Sequence, residues 1–255
     1  MAIELYNQNQ HICLMFTDLV KAGSGAVQAN QFMIGSGNHL ALIDPGGNMT
    51  HNGILMGKYS HFPSAKMEAI LASHADPDIV ASLNKWMIQT ESRLYVPQIW
   101  SRFVPHFCND DYSHRIIPIP DGGMEIRLGD TSIKAIPAHF LHSEGNFQFY
   151  DPISKILFSG DLGASLGFAG NVGDPVTDFD AHLPFMEPFH KRYMNSNKIC
   201  RFWVNMVRDL EMEWIVPQHG RPFRGQLMIK RFLNWIETLQ CGIDLMTQQD
   251  YRIRF

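Results

Sequence analysis

A layered α/β or α+β domain, with strands stacked inside and helices on the outside, is what this sequence predicts. Three observations carry that expectation. Short apolar runs bounded by Gly, Pro, Asn and Asp recur through the first two thirds of the chain, as strands and turns do. Apolar residues at helical spacing appear in separate stretches outside those runs. The length of 255 residues, with 45% hydrophobic content, is enough for a full core, and one large domain is expected rather than two small ones.

Taken in order, the first 45 residues hold three strand runs, His11 to Phe16, Gln31 to Ile34 and His39 to Ile43, broken by the turn-rich stretches 21–25 and 35–38, so the chain opens as a β-meander. Ala69 to Ala72 is a short apolar strand. It is followed by Asp76 to Gln89, where Ile79, Val80, Leu83, Trp86 and Met87 fall on one helical face. Strands are then expected at Arg93 to Val96, Arg115 to Ile119, Met124 to Leu128 and Ser132 to Ile136, the last two joined by a turn at Gly129 and Asp130. Phe147 to Tyr150 and Lys155 to Phe158 flank Asp151 and Pro152 and make a second hairpin. Gly163 to Pro188 is rich in Gly, Pro and Asp but carries Phe168, Phe179, Leu183, Phe185 and Met186; it reads as a packed loop able to cover a site. Helical spacing returns at Lys198 to Leu210, Trp214 to Pro217 reads as a strand, and Leu227 to Leu239 is a helix with one apolar stripe. The expected domain therefore covers residues 1–240, with a tail at 241–255.

Composition excludes several functions. The formal charge of -4 comes from 25 acidic and 21 basic residues without a basic run, so nucleic acid is not an expected partner. The start, MAIELYNQNQ, lacks the basic leader and apolar core of a signal peptide, and no stretch approaches the roughly 20 apolar residues that cross a bilayer. A cytoplasmic protein without membrane contact is expected. Cys13, Cys108, Cys200 and Cys241 are far apart and read as buried reduced thiols, although spacing leaves one distant disulfide open.

Six metal-ligating residue types stand where apolar runs end. His74, Asp76 and Asp78 alternate within Ser73-His74-Ala75-Asp76-Pro77-Asp78, so all three can face one cavity where a strand gives way to a helix. On that segment alone the commoner use is a helix start, with Asp as N-cap and Pro at the first position. His142, Asp161 and His219 change the balance, because each follows its own apolar run, Asp161 after Lys155-Ile-Leu-Phe-Ser-Gly160 and His219 after Trp214-Ile-Val-Pro-Gln218. A two-metal pocket fits that order.

With these motifs the chain resembles the metallo-β-lactamase fold superfamily, and within it the diiron module of flavodiiron proteins and the single-domain oxygen-binding diiron proteins. The residues that carry the resemblance are His74-Ala-Asp76-Pro-Asp78, Leu141-His142 after Ile136-Pro137-Ala138, Leu157-Phe-Ser-Gly-Asp161, and Pro217-Gln-His219-Gly220. The resemblance implies a four-layer αββα sandwich with the metals at one edge. It implies two irons, one held by His74, Asp76 and His142, the other by Asp78 and His219, with Asp161 bridging; zinc or manganese is the alternative metal. Two departures stand out: the diiron pattern usually has Glu at the position of Asp76, and the hydrolase branch has His where this chain has Ile79 and commonly His at position 76. Three carboxylates and an open position at residue 79 favour iron and a small ligand.

The expectation is a non-haem diiron protein that binds dioxygen or NO, to sense or carry it, or to reduce it with electrons from another protein. The sequence holds no Gly-rich flavin segment and no rubredoxin-like Cys pairs, so reduction would need a redox partner, while sensing would need a signalling partner; whether the chain is an enzyme, and whether it forms a homodimer, is left open. The alternative is a dinuclear zinc-type hydrolase in which a bridging hydroxide attacks an ester, thioester, amide or phosphodiester. A vestigial scaffold ranks last, since every ligand position holds a competent residue. His139 is the rival to His142 and is given at most a supporting place; His182 and His190 are read as hydrogen-bonded or surface residues, and Phe147, Phe149 and Tyr150 as core rather than pocket wall.

Overall fold

The computed structural model describes residues 1–21 and 23–253. Position 22, within the turn-rich stretch 21–25, and positions 254 and 255, the end of the expected tail, lie outside the described residues. Among the described residues, strands β1 (Ala2–Gln8), β2 (His11–Phe16), β3 (Gln31–Ser36), β4 (His39–Ile43), β5 (Lys66–Leu71), β6 (Arg93–Pro97) and β7 (Ile116–Ile119) form one sheet in sequence order. It is antiparallel from β1 to β4 and parallel from β4 to β7. The second sheet holds β8 (Met124–Leu128), β9 (Thr131–Pro137), β10 (Phe147–Asp151), β11 (Ile156–Phe158), β12 (Trp214–Val216) and β13 (Phe223–Arg224), with β11 and β12 its parallel pair.

Alternation along the strands builds the layers. On β2, Cys13 and Met15 enter the core between the sheets, whereas Leu14 and Phe16 face outward to a second core. Phe147, Phe149, Ile156 and Phe158 meet Phe32, Ile34 and Ile43 across the inter-sheet space. Helices α1 (His51–His61), α2 (Pro77–Val80) and α3 (Leu83–Gln89) bury Ile54, Ile79, Val80, Leu83 and Trp86 on the outer face of the first sheet; the short α4 (Gln98–Ser101) follows β6. Helices α5 (Phe179–Tyr193), α6 (Asn197–Val207) and α7 (Gln226–Thr238) cover the second sheet with Met186, Trp203, Val204, Phe232 and Ile236. Three cores separate four layers, the αββα sandwich of the metallo-β-lactamase type.

Several elements depart from expectation. The stretch expected as a loop up to Pro188 contains α5, started by Asp178, whose Oδ1 accepts the N–H of Ala181 at 3.1 Å, and continuous through Pro184 and Pro188. The single helix expected over Asp76 to Gln89 is two, broken where Ser82 turns its N–H to Gly46 O at 3.0 Å and its hydroxyl to Pro45 O at 2.8 Å. Strands β1 and β13 and helices α1 and α4 were not expected. Helix α1 carries Gly57 because it lies tight on the sheet: a Cβ there would stand 2.1 Å from the Phe16 ring, while one at Gly53 would stand 2.8 Å from Leu19, in the segment after β2. No helix among the described residues is long and apolar enough to cross a membrane.

Candidate metal centre

Four strand ends deliver the site to one edge of the sandwich. Beyond β5 the chain places His74, then Asp76 as the residue before α2, with Pro77 in the first helical turn. The Asp76 side chain makes no capping hydrogen bond, so the carboxylate is free to face the site. Beyond β9 a tight loop carries His142; Asn146 Nδ2 donates to Leu141 O at 2.7 Å and Ser143 Oγ donates to Asn146 Oδ1 at 3.1 Å, which fixes the loop from within. Beyond β11, Gly160 adopts a φ of +58° and the next residue, Asp161, turns into the edge. Beyond β12 comes His219, held because Asn30 Nδ2 donates to the carbonyls of Pro217 and Gly220, each at 3.0 Å. Gly220 is required there: its φ is +86°, and a Cβ would lie 2.6 Å from the carbonyl oxygen of Ser165.

All six residues expected as ligands meet around Asp161. Its Oδ2 lies 3.0 Å from His142 Nε2 and 3.9 Å from His74 Nε2, and its Oδ1 lies 3.3 Å from His219 Nε2. Asp76 Oδ2 closes the first side, 3.3 Å from His142 Nε2 and 3.7 Å from His74 Nε2. Asp78 Oδ2 closes the other, 3.4 Å from His219 Nε2. His74, Asp161 and His219 are buried, and Asp76 and Asp78, at the start of α2, are half-buried.

Electrostatics identify this as a place for cations. Burial alone would raise the pKa of Asp161, yet the imidazoles of His142, His219 and His74 hold it well below the usual carboxylate range. Burial would lower His142 and His219, but the facing carboxylates, Asp161 foremost, raise them to about 10 and about 9. His74 Nε2 and Asp161 Oδ1 are buried and lack any hydrogen-bond partner. Two orphaned polar atoms at the centre of a carboxylate and imidazole cluster are costly unless a cation completes them, so the residues fit a metal pair.

A supporting layer was not expected. Asp44, at the end of β4, is fully buried; Oδ1 accepts the N–H of Ser73 at 2.8 Å, and Oδ2 accepts from Gln218 Nε2. Ser73 Oγ in turn lies 2.9 Å from His74 Nδ1, and His219 Nδ1 lies 2.7 Å from the carbonyl of Gln28. Burial raises Asp44 to about 6, tempered by His74 and these donors. The signal was present in Ile43-Asp44-Pro45, another strand ending in an acid. The aromatic wall also comes from elsewhere than β10: Tyr193 stacks on the His142 ring at 5.7 Å, and Phe189 stacks on Tyr193 at 4.6 Å.

The other candidates lie away from the centre. His139 Nε2 donates to Asp121 O at 2.9 Å, and its ring meets Phe147 edge-on. Phe147 and Phe149 are core residues, and Tyr150 donates its hydroxyl to Glu211 O at 2.7 Å. His190 accepts the N–H of Gly163 on Nε2 and donates from Nδ1 to Met186 O, each at 2.8 Å, and His182 sits among Phe168, Phe185 and Phe223. Ile79 is fully buried in the outer core, so position 79 offers no ligand. A second cluster, His11, Cys13 and Asp151, is a knot of hydrogen bonds: Asp151 Oδ2 takes His11 Nε2 at 2.7 Å and Ser154 Oγ at 2.5 Å.

Comparison with known proteins supplies the family. Residues 27–220 match the model of a family described as "ODP family beta lactamase". A solved structure of the peroxy diiron species of the chemotaxis sensor ODP is similar to this chain at a TM-score of 0.85 and 37% identity, covering 98% of this chain and 99% of that one. The apo state of the chemotaxis sensor ODP from T. denticola gives a TM-score of 0.83 at 37% identity over 99% of both chains. Rubredoxin oxygen:oxidoreductase from Desulfovibrio gigas shares the fold, with a TM-score of 0.77 at 14% identity, over 93% of this chain and 61% of that one. An uncharacterised protein of Methanocaldococcus jannaschii is 21% identical over 204 residues, 76% of this chain and 49% of that protein. The chain spans about half the length of that curated relative, and 38% of a second from the same organism.

Proposed function

The chain belongs to the ODP family of the β-lactamase fold, and on that premise we propose that it is a non-haem diiron protein that binds dioxygen as a sensor. The observation that carries the reading is the Asp161 carboxylate, buried and ionised between His142 on one oxygen and His219 on the other. Support comes from the related chemotaxis sensor, similar over nearly its whole length and solved as a peroxy diiron species.

His74, Asp76 and His142 would hold one iron, Asp78 and His219 the other, and Asp161 both. Three carboxylates and three imidazoles make a hard, anionic set that favours iron or manganese in their higher oxidation states, although zinc competes on intrinsic affinity. When bound, the metal pair supplies the electrons and the open coordination positions for a small diatomic ligand. The protein's own part is positional. Ser73 and the Gln28 carbonyl hold the far nitrogens of His74 and His219, so their Nε2 atoms point inward. Tyr193 and Phe189 cover the outer face of His142 and keep water from that side. The buried Ile79 keeps a further ligand out of the second metal's surroundings, which separates this set from the hydrolase pattern. A sensor needs a reader, and the proposed partner is a signalling protein.

The test is metal analysis of protein loaded anaerobically with Fe(II). The reading expects two irons per chain in one cluster, with magnetic coupling between them. A single iron, or iron that a brief wash with a weak chelator removes, would count against it.

A further inference from the structure

Cys200, in α6, and Cys241, just past α7, are buried free thiols that stand 41 residues apart in sequence, yet their Sγ atoms lie 3.8 Å from each other in contact. We propose that this pair closes a disulfide when the protein meets a peroxide, a redox modification site separate from the metal centre. A small rotation of the two side chains would bring the sulfurs to the roughly 2.05 Å of a covalent bond. Cys13 has no such neighbour; its thiol donates to Asp151 Oδ2 at 3.4 Å inside the inter-sheet core.

The position of the pair assigns the order of events. Either thiol can donate in this contact, but Cys241 begins the surface turn at Gly242–Asp244, so it is the thiol that peroxide reaches first when that turn opens, and the nucleophile. Attack of the Cys241 thiolate on hydrogen peroxide forms an S–O bond and breaks the O–O bond, releasing hydroxide and leaving a sulfenic acid. Cys200 then attacks that sulfur: the S–S bond forms, the S–O bond breaks, and the departing hydroxide leaves with the Cys200 proton as water. Two thiols lose two electrons and two protons, and the peroxide becomes two waters.

Access needs only a local opening. Cys241 begins a surface turn at Gly242–Asp244, in which Ile243 is 66% exposed. The same turn is seated on the joint between α5 and α6: Ile243 N donates to Asn195 O at 2.9 Å, and Asn197 N donates to Asp244 Oδ2 at 2.6 Å. From that joint Asn195 N donates to Phe140 O at 3.2 Å, two residues before His142. The disulfide would therefore lock a turn that is continuous, by direct contacts, with the loop of a proposed iron ligand.

The test treats the full-length, dithiothreitol-reduced protein with graded hydrogen peroxide, removes excess with catalase before any denaturant, alkylates the unfolded chains and maps cysteines by mass spectrometry. The expected result is a 200–241 cross-linked peptide lighter by two hydrogens, with loss of alkylation at both sites while Cys13 stays labelled. In Cys200→Ser, Cys241 should be captured by a sulfenic-acid probe. The proposal is overturned if Cys200 and Cys241 remain fully alkylated at peroxide levels that oxidise the half-buried Cys108. A cross-link of Cys241 to any other cysteine overturns it equally.

Discussion

The Asp44 carboxylate accepts the backbone N–H of Ser73 at 2.8 Å, directly before the inward-facing imidazole of His74. A buried acid thus sets a ligand's backbone without touching the metals. Asp44→Ala is expected to weaken metal binding about 10- to 100-fold while the fold persists, and Asp44→Asn, which keeps an acceptor for Ser73, should lose less. Competition against a chromophoric chelator measures both; equal loss in the two variants would remove Asp44 from the positioning role.

Asp161 serves both halves of the site, whereas His219 faces only one. Asp161→Ala should leave close to no iron, and His219→Ala about one iron per chain. Iron analysis after gel filtration distinguishes them. Identical losses would contradict a bridging role for Asp161.

In the metal-free protein the facing carboxylates raise His142 to about 10 and His219 to about 9, which favours protonated imidazoles at pH 7. A metal requires neutral imidazole, and loading at pH 7 should therefore release about two protons per chain, with affinity rising as pH climbs toward 9 to 10. The metal-free fold follows the opposite sign: raised imidazole pKa values stabilise it fully below about 6.5 and lose that stabilisation as pH rises through 9 to 10. Calorimetry in buffers of different ionisation enthalpy counts the protons. Binding without proton release would refute the electrostatic description of the site.

His190 is fully buried and neutral, and burial lowers it from 6.5 to about 4. Its folded state binds fewer protons than the unfolded chain, so its stability is complete above pH 6.5 and declines as pH falls toward 4, by about 3 kcal/mol. Denaturant unfolding across that range should show a shallower acid slope for His190→Gln. Unchanged slopes would mean that His190 takes up its proton without opening the structure.

Much of this centre was legible because its grammar is local. An apolar run ending in an acid or imidazole marks His74, Asp161 and His219, and the structure brings all three to one edge. Asp44 obeys the same grammar but was masked by Pro45 and Gly46, which read as an ordinary turn. Helix α5 was hidden by Pro184 and Pro188, and α1 by Gly57, needed for its close approach to Phe16. Strand β1 is an edge strand that buries only Leu5, so it lacks an apolar signature. The stacking of Tyr193 on His142 spans about 50 residues of chain and leaves no local trace.

The central claim is that dioxygen binds at a metal pair held by Asp161 and its neighbours. The most direct measurement is the absorption spectrum of protein loaded anaerobically with Fe(II), before and after oxygen, beside Asp161→Ala. The native protein should develop a visible charge-transfer band on exposure to oxygen, and the variant should develop none. A native spectrum unchanged by oxygen, with two irons bound, would contradict the account.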